Sequence, residues 1–146
     1  MTIRVMRPED YGAVYDLWMS CKNMGFNNLD DSREGIERFL KRNPHTSFVA
    51  EEGDRLTGVV LAGHDGRRGY IYHMSVREGY RRKGVGKQLT EACLEALKSE
   101  GICKVALLVF RRNEAGNAFW ERMGFSARED VNYRNRELTK IVRIDT

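Results

Sequence analysis

A polar turn carrying two closely spaced glycines, set between a strand-like run and a long helical pattern, constrains this chain most. It reads Val76-Arg77-Glu78-Gly79-Tyr80-Arg81-Arg82-Lys83-Gly84-Val85-Gly86-Lys87. Residues 70–76, which precede it, form an aromatic and apolar run of strand length. Beyond it, Val85, Leu89, Cys93 and Ala96 recur at helical spacing, and Gly101 caps the pattern. Gly84 and Gly86 let backbone N–H groups come close to a ligand. The helix start behind them adds unpaired donors and a positive dipole end. Arg81, Arg82, Lys83 and Lys87 place charge around the same point, so the segment reads as a phosphate cradle. A dinucleotide fingerprint is excluded, because the position three after Gly86 is Leu89. A Walker loop is excluded too: Gly79 and Gly84 have its spacing, but Val85 and Gly86 follow where Lys and Ser/Thr belong.

Hydrophobic periodicity sets the remaining elements. Residues 3–6 read as a strand, and Arg7-Pro8-Glu9-Asp10 starts a helix whose Tyr11, Val14, Tyr15 and Trp18 share a face. Residues 23–31 are polar and read as a loop ending in helix-capping aspartates, Asp30 and Asp31. A second helix covers 32–41, with Ile36, Phe39 and Leu40 together, and Asn43-Pro44 stops it. Strands follow over 47–51 and 56–62, then the third over 70–76. The continuous apolar run 105–110 predicts a strand buried on both faces. Asn113 caps a helix carrying Ala115, Phe119 and Met123, ended by Gly124, and late strands are expected over 126–133 and 137–142. Helices interspersed with a mixed sheet make an α/β layered domain, and 146 residues are the size of one such domain, 1–146.

Composition narrows the function. The 25 Lys+Arg against 21 Asp+Glu leave +4, which permits an anionic ligand without demanding nucleic acid. Cys21, Cys93 and Cys103 are scattered, with no ligand cluster, so neither a metal site nor a disulfide framework is expected. Cys93 and Cys103 read as buried small hydrophobes. Without a signal core or an apolar run of ~18 residues, no secretion or membrane span is expected, and the reading is cytoplasmic.

Arg81-Arg82-Lys83-Gly84-Val85-Gly86, followed by Asn113, Ala118, Trp120 and Gly124-Phe125 in order, resembles the GCN5-related N-acetyltransferase (GNAT) family over nearly the whole chain. The resemblance implies a mixed, mostly antiparallel sheet of six to seven strands with about four helices on its two faces. It implies acetyl-CoA as co-substrate and direct transfer to a primary amine. Met74, Ser75 and Val76 would pair with pantetheine, with an N–H near Met74 polarising the thioester carbonyl. Residues Arg81 to Lys87 (Val85 included) would receive the pyrophosphate, with Asn113 and Trp120 on the far side.

The general-acid tyrosine of the family is replaced here by Trp120, whose indole donates a hydrogen bond but no proton at neutral pH. Tyr133 is the substitute acid. For the base, His73 has suitable chemistry, but strict strand alternation sets Tyr70, Tyr72 and Met74 on one face and His73 on the other. A strand bulge, usual in the family, would change that; a water relay from Tyr70 or Tyr72 is the alternative. The acceptor wall would come from Trp18, Cys21, Phe26, Asn27 and Asn28, facing Tyr133 and Arg134. The acceptor itself, a small molecule or a protein amine, is left open, as is a homodimer. Two rivals are a non-catalytic acyl-CoA sensor and a nucleic-acid binder using Arg67-Arg68, Arg81-Arg82-Lys83 and Arg111-Arg112. The second has no interleaved aromatic platform.

Overall fold

A computed structural model describes residues 1–21 and 24–145. Asn23, the first residue of the expected loop, lies outside the described residues. The elements are β1 (Thr2–Val5), a single 3-10 turn (Pro8–Asp10), α1 (Tyr11–Met19), α2 (Arg33–Arg42), β2 (Phe48–Glu52) and β3 (Arg55–His64). Then come β4 (Gly69–Val76), α3 (Val85–Ser99), β5 (Val105–Leu107) and α4 (Glu114–Arg122). The sheet runs β1-β2-β3-β4-β5, antiparallel through β4 and parallel between β4 and β5. No helix of the described residues is long and apolar enough to cross a membrane.

Each sheet face buries its own core. Val14, Leu17 and Trp18 of α1 and Ile36 and Leu40 of α2 pack with Val49, Val59 and Leu61. On the opposite face Val85, Leu89, Cys93 and Leu97 of α3 pack with Val60, Ala62 and Ile71, joined by Trp120 of α4. β3 is covered on both sides, which is why Val59 to Ala62 form a continuous apolar run rather than an alternating one.

Five strands form, not six to seven. Among the described residues, 126–133 and 137–142 build no strand, and only an isolated bridge joins Asn27 to Arg143. Leu138 is 96% exposed. Alternating apolar residues specify a face, but a strand also needs a neighbour to satisfy its N–H and C=O groups. β5 is therefore one edge of the sheet, opposite β1. The expected burial of both faces of 105–110 fails with it: Ala106 is exposed, and Leu108 is 66% exposed.

The entry to α2 is tightly built. Ser32, not Asp30 or Asp31, is its N-cap: Ser32 Oγ accepts from Gly35 N–H at 3.0 Å and donates to the Leu29 carbonyl at 2.7 Å. A Cβ on Gly35 would lie 2.3 Å from both the Leu29 and Asp30 carbonyl oxygens. Alanine gains about 1 kcal/mol of helix propensity over glycine, but that overlap with backbone costs more. Gly35→Ala is therefore expected to destabilise the protein by about 1–3 kcal/mol in urea unfolding. A stabilised variant would contradict this packing.

Candidate active site

β4 carries the local irregularity from which the site is built. Its register with β3 pairs Val59 with Ser75 but Leu61 with Tyr72. Two steps on β3 match three on β4, so β4 holds one extra residue, a β-bulge. The bulge falls where His73 takes a left-handed φ of 51°. It reverses the alternation expected from sequence. Tyr72 and His73 both lie on the α1/α2 side, where His73 packs edge-on to Trp18 (5.4 Å between centroids) and Phe26 (4.5 Å). Met74 turns to the α3 side. The expectation that Met74 shares a face with Tyr72 while His73 points away is thus corrected.

Beside the bulge the sheet opens. β4 pairs with β5 only over Gly69–Val105, Tyr70–Ala106 and Ile71–Leu107. Beyond Ile71, no β5 residue pairs with Tyr72 to Val76, and this stretch has strand partners only on its β3 side. Two side chains cover part of its backbone: Ser75 Oγ donates to the His73 carbonyl at 3.3 Å, and Arg81 Nε to the Val76 carbonyl at 3.0 Å.

α3 starts past the end of β4. Its N-cap, Gly84, has a φ of 81°, and Arg82 just before it also has a left-handed φ, 64°. Among the described residues no side chain caps α3, and its first turn holds no acid, so its dipole end is left without a side-chain partner. The nearest atom to a Cβ built on Gly84 is Gln88 Nε2, at 3.9 Å. These features fit an anion. The four cations differ. Arg81 reaches Cys21 Sγ (3.8 Å) as well as Val76, Lys83 stands 5.6 Å over the Tyr80 ring, and Lys87 forms a long, exposed pair with Glu91 (3.9 Å). The Arg82 side chain is exposed.

α4 flanks the cradle. Asn113 caps it by accepting from Gly116 N–H at 2.9 Å. The Phe119 ring lies where a Cβ on Gly86 would meet it at 3.2 Å, so α4 packs against the first turn of α3. Trp120 is 9% exposed and lies edge-on to Phe119 and Phe125, a core position.

On the α1/α2 side, Phe39 packs edge-on to Tyr72, which stacks on Tyr70. Partial burial pushes the Tyr72 phenol up, and nearby Tyr70, Tyr133 and Asp30 add to the same direction. Tyr133 is 65% exposed. An open groove of about 420 Å³ is lined by Tyr11, Tyr15, Asn27, Asn28, Asp31, Ser32, Arg33 and Ile144. Sequence reasoning did not find two residues that build this region. Asp31 bonds His73, where a cap was expected. Asp145 accepts from the N–H groups of Met24, Gly25 and Phe26 at 2.9–3.0 Å, a long-range clamp with no local signal. The cysteines divide: Cys93 is fully buried, and desolvation pushes its thiol up to about 12, whereas Cys103 is exposed, contrary to expectation. Among the described residues no His/Cys/Asp/Glu group could hold a metal ion.

Fold and site together define an α/β protein that can receive an extended anionic ligand where one strand edge is released beside a helix start. The chain matches the acetyltransferase (GNAT) family over residues 11–125 and belongs to that family. It is 30% identical to Acetyltransferase SG1711 of Sodalis glossinidius (strain morsitans) over 131 residues, covering 90% of this chain and 91% of the relative. It is 31% identical to Acetyltransferase ECA0875 of Pectobacterium atrosepticum over 125 residues, covering 86% and 87%. Its fold is similar to that of the PaiA N-acetyltransferase from Thermoplasma acidophilum in complex with coenzyme A, with a TM-score of 0.77 at 20% identity over 90% and 92% of the two chains. Acetyl-CoA is the family's acyl donor, and acetyl transfer its reaction.

Proposed function

We propose that this chain transfers the acetyl group of acetyl-CoA to a primary amine by direct attack, without an acyl-enzyme. The observation that carries this reading is the release of β4 from β5 next to the His73 bulge. An extended thioester arm needs backbone partners on an open strand, and its pyrophosphate needs a helix start such as that at Gly84. Met74, Ser75 and Val76 would hold the arm. Arg81, Arg82, Lys83, Gly84, Val85, Gly86 and Lys87 would hold the pyrophosphate, chiefly through backbone N–H groups. Asn113 and Trp120 act through α4, by capping it and seating it against α3.

When bound, acetyl-CoA supplies the acyl group: a carbon–nitrogen bond forms, the carbon–sulfur bond breaks, and CoA leaves as its thiol. The Met74 N–H would polarise the reacting carbonyl, a task fixed backbone donors perform well. His73 takes the proton that the amine loses. Tyr70 and Tyr72, both partly exposed, line the proton's route to solvent. A thiol of pKa about 8.5 leaves without a strong acid, so the tryptophan at position 120 does not block the reaction. Tyr133 or water returns the proton to sulfur.

The test is release of free CoA thiol across an amine panel: a peptide with a free N-terminus, a lysine peptide with a blocked one, spermidine, an aminoglycoside and a free amino acid. Amine-dependent release with at least one is expected. No release from any of them, while acetyl-CoA still stabilises the fold, would favour an acyl-CoA sensor instead.

A further inference from the structure

His73 and Asp31 lie 42 positions apart, and His73 Nε2 meets Asp31 Oδ1 at 2.8 Å. Their side chains are 14% and 5% exposed. Burying a carboxylate is costly unless both oxygens find donors. The second oxygen has one: Asp31 Oδ2 accepts from the Asn27 backbone N–H at 2.8 Å. The loop is tied again where Tyr11 Oη donates to the Asp31 carbonyl at 2.7 Å. The histidine ring is held on its flanks by Trp18 and Phe26. His73 itself occupies a left-handed backbone conformation, which is strained for a non-glycine residue and persists only where the surroundings enforce it.

An ionised carboxylate only accepts hydrogen bonds. Facing one, Nε2 of a neutral imidazole must carry the proton, which leaves the lone pair on Nδ1. We infer that Asp31 is a positioning residue: it holds His73 in the Nε2–H tautomer, with Nδ1 as the basic nitrogen. It thereby ties the loop before α2 to the bulge in β4. The inference rests on the reading of His73 as base, and it adds the group that makes one of its two nitrogens available. Asp31 also lines the open groove, so the loop that borders the groove is the one that orients the base.

The experiment has two readouts. Side-chain ¹⁵N NMR of the wild-type protein, which needs no amine, should show His73 with Nε2 protonated and Nδ1 unprotonated when neutral. Asp31→Asn should lower kcat at least about tenfold with the panel amine that turns over fastest, leaving KM for acetyl-CoA and the acetyl-CoA-induced melting shift unchanged. Asp31→Glu, which keeps the acceptor charge, should recover part of the lost kcat. A wild-type His73 found as the Nδ1–H tautomer would overturn the inference, as would wild-type kcat in Asp31→Asn. Should that variant not fold, the wild-type spectrum decides by itself. Failure of the underlying reading looks different: His73→Asn would then turn over normally whatever the tautomer.

Discussion

Replacing Gly84 with glutamate is expected to erase the rise in melting temperature that acetyl-CoA gives the wild-type protein. At a ligand concentration 100 times Kd, that rise corresponds to about 2.7 kcal/mol. For a chain of this size it amounts to about 5–10 °C. The substitution acts twice at the anion site. It forces a side chain onto a backbone with a φ of 81°, at about 1–2 kcal/mol. It also sets a carboxylate where the α3 N–H groups and dipole end would meet the pyrophosphate. A carboxylate at a helix start suits the helix itself, so the variant should fold. Gly84→Ala separates the two effects, since it carries the backbone strain without the charge. It should melt lower but keep part of the ligand-induced rise. Differential scanning fluorimetry with and without acetyl-CoA reads both. A full shift in Gly84→Glu would remove the cradle from the site.

His73→Asn is expected to lower kcat by about 10²–10⁴-fold, the usual contribution of a positioned general base. Asparagine tolerates the left-handed conformation of the bulge, so the backbone of the opened strand edge is preserved. It cannot take up a proton. The acetyl-CoA melting shift should therefore match that of the wild type, which separates a chemical defect from a binding defect. Wild-type turnover in this variant would transfer the base to the water route past Tyr70 and Tyr72.

These two residues differ in how far they can be read without the fold. The cradle at Gly84 is local: glycines, cations and a helix with Val85, Leu89 and Cys93 on one face lie within one stretch of chain, and the α3 pattern survives folding intact. The role of His73 depends on register. Alternation by two assigns it to the wrong face, because one inserted residue in β4 shifts every later side chain across the sheet. Nothing within β4 itself marks the bulge. It becomes visible only when β3 is laid alongside.

Asp31 shows the same divide. Next to Ser32 and the start of α2 it has the composition of a cap, and capping is the commoner use of aspartate there. Ser32 takes the cap, and Asp31 turns inward to a histidine on a different element. The tail carries the opposite lesson. Its alternating residues have the pattern of strands, yet without ladder partners they stay irregular and exposed, and β5 becomes an edge.

The amino-acid sequence by itself determined the α/β class, the order of the elements through α4, the family and the place of the glycine-bearing start of α3. All of these follow from periodicity and from short segments whose physics is complete within a few residues. Only the tertiary structure decided the number of strands, the opening between β4 and β5, the face of His73 and its bond to Asp31. Those depend on which backbone groups find partners across the sheet and which buried charges find donors far away in the chain, and neither is encoded at a single position.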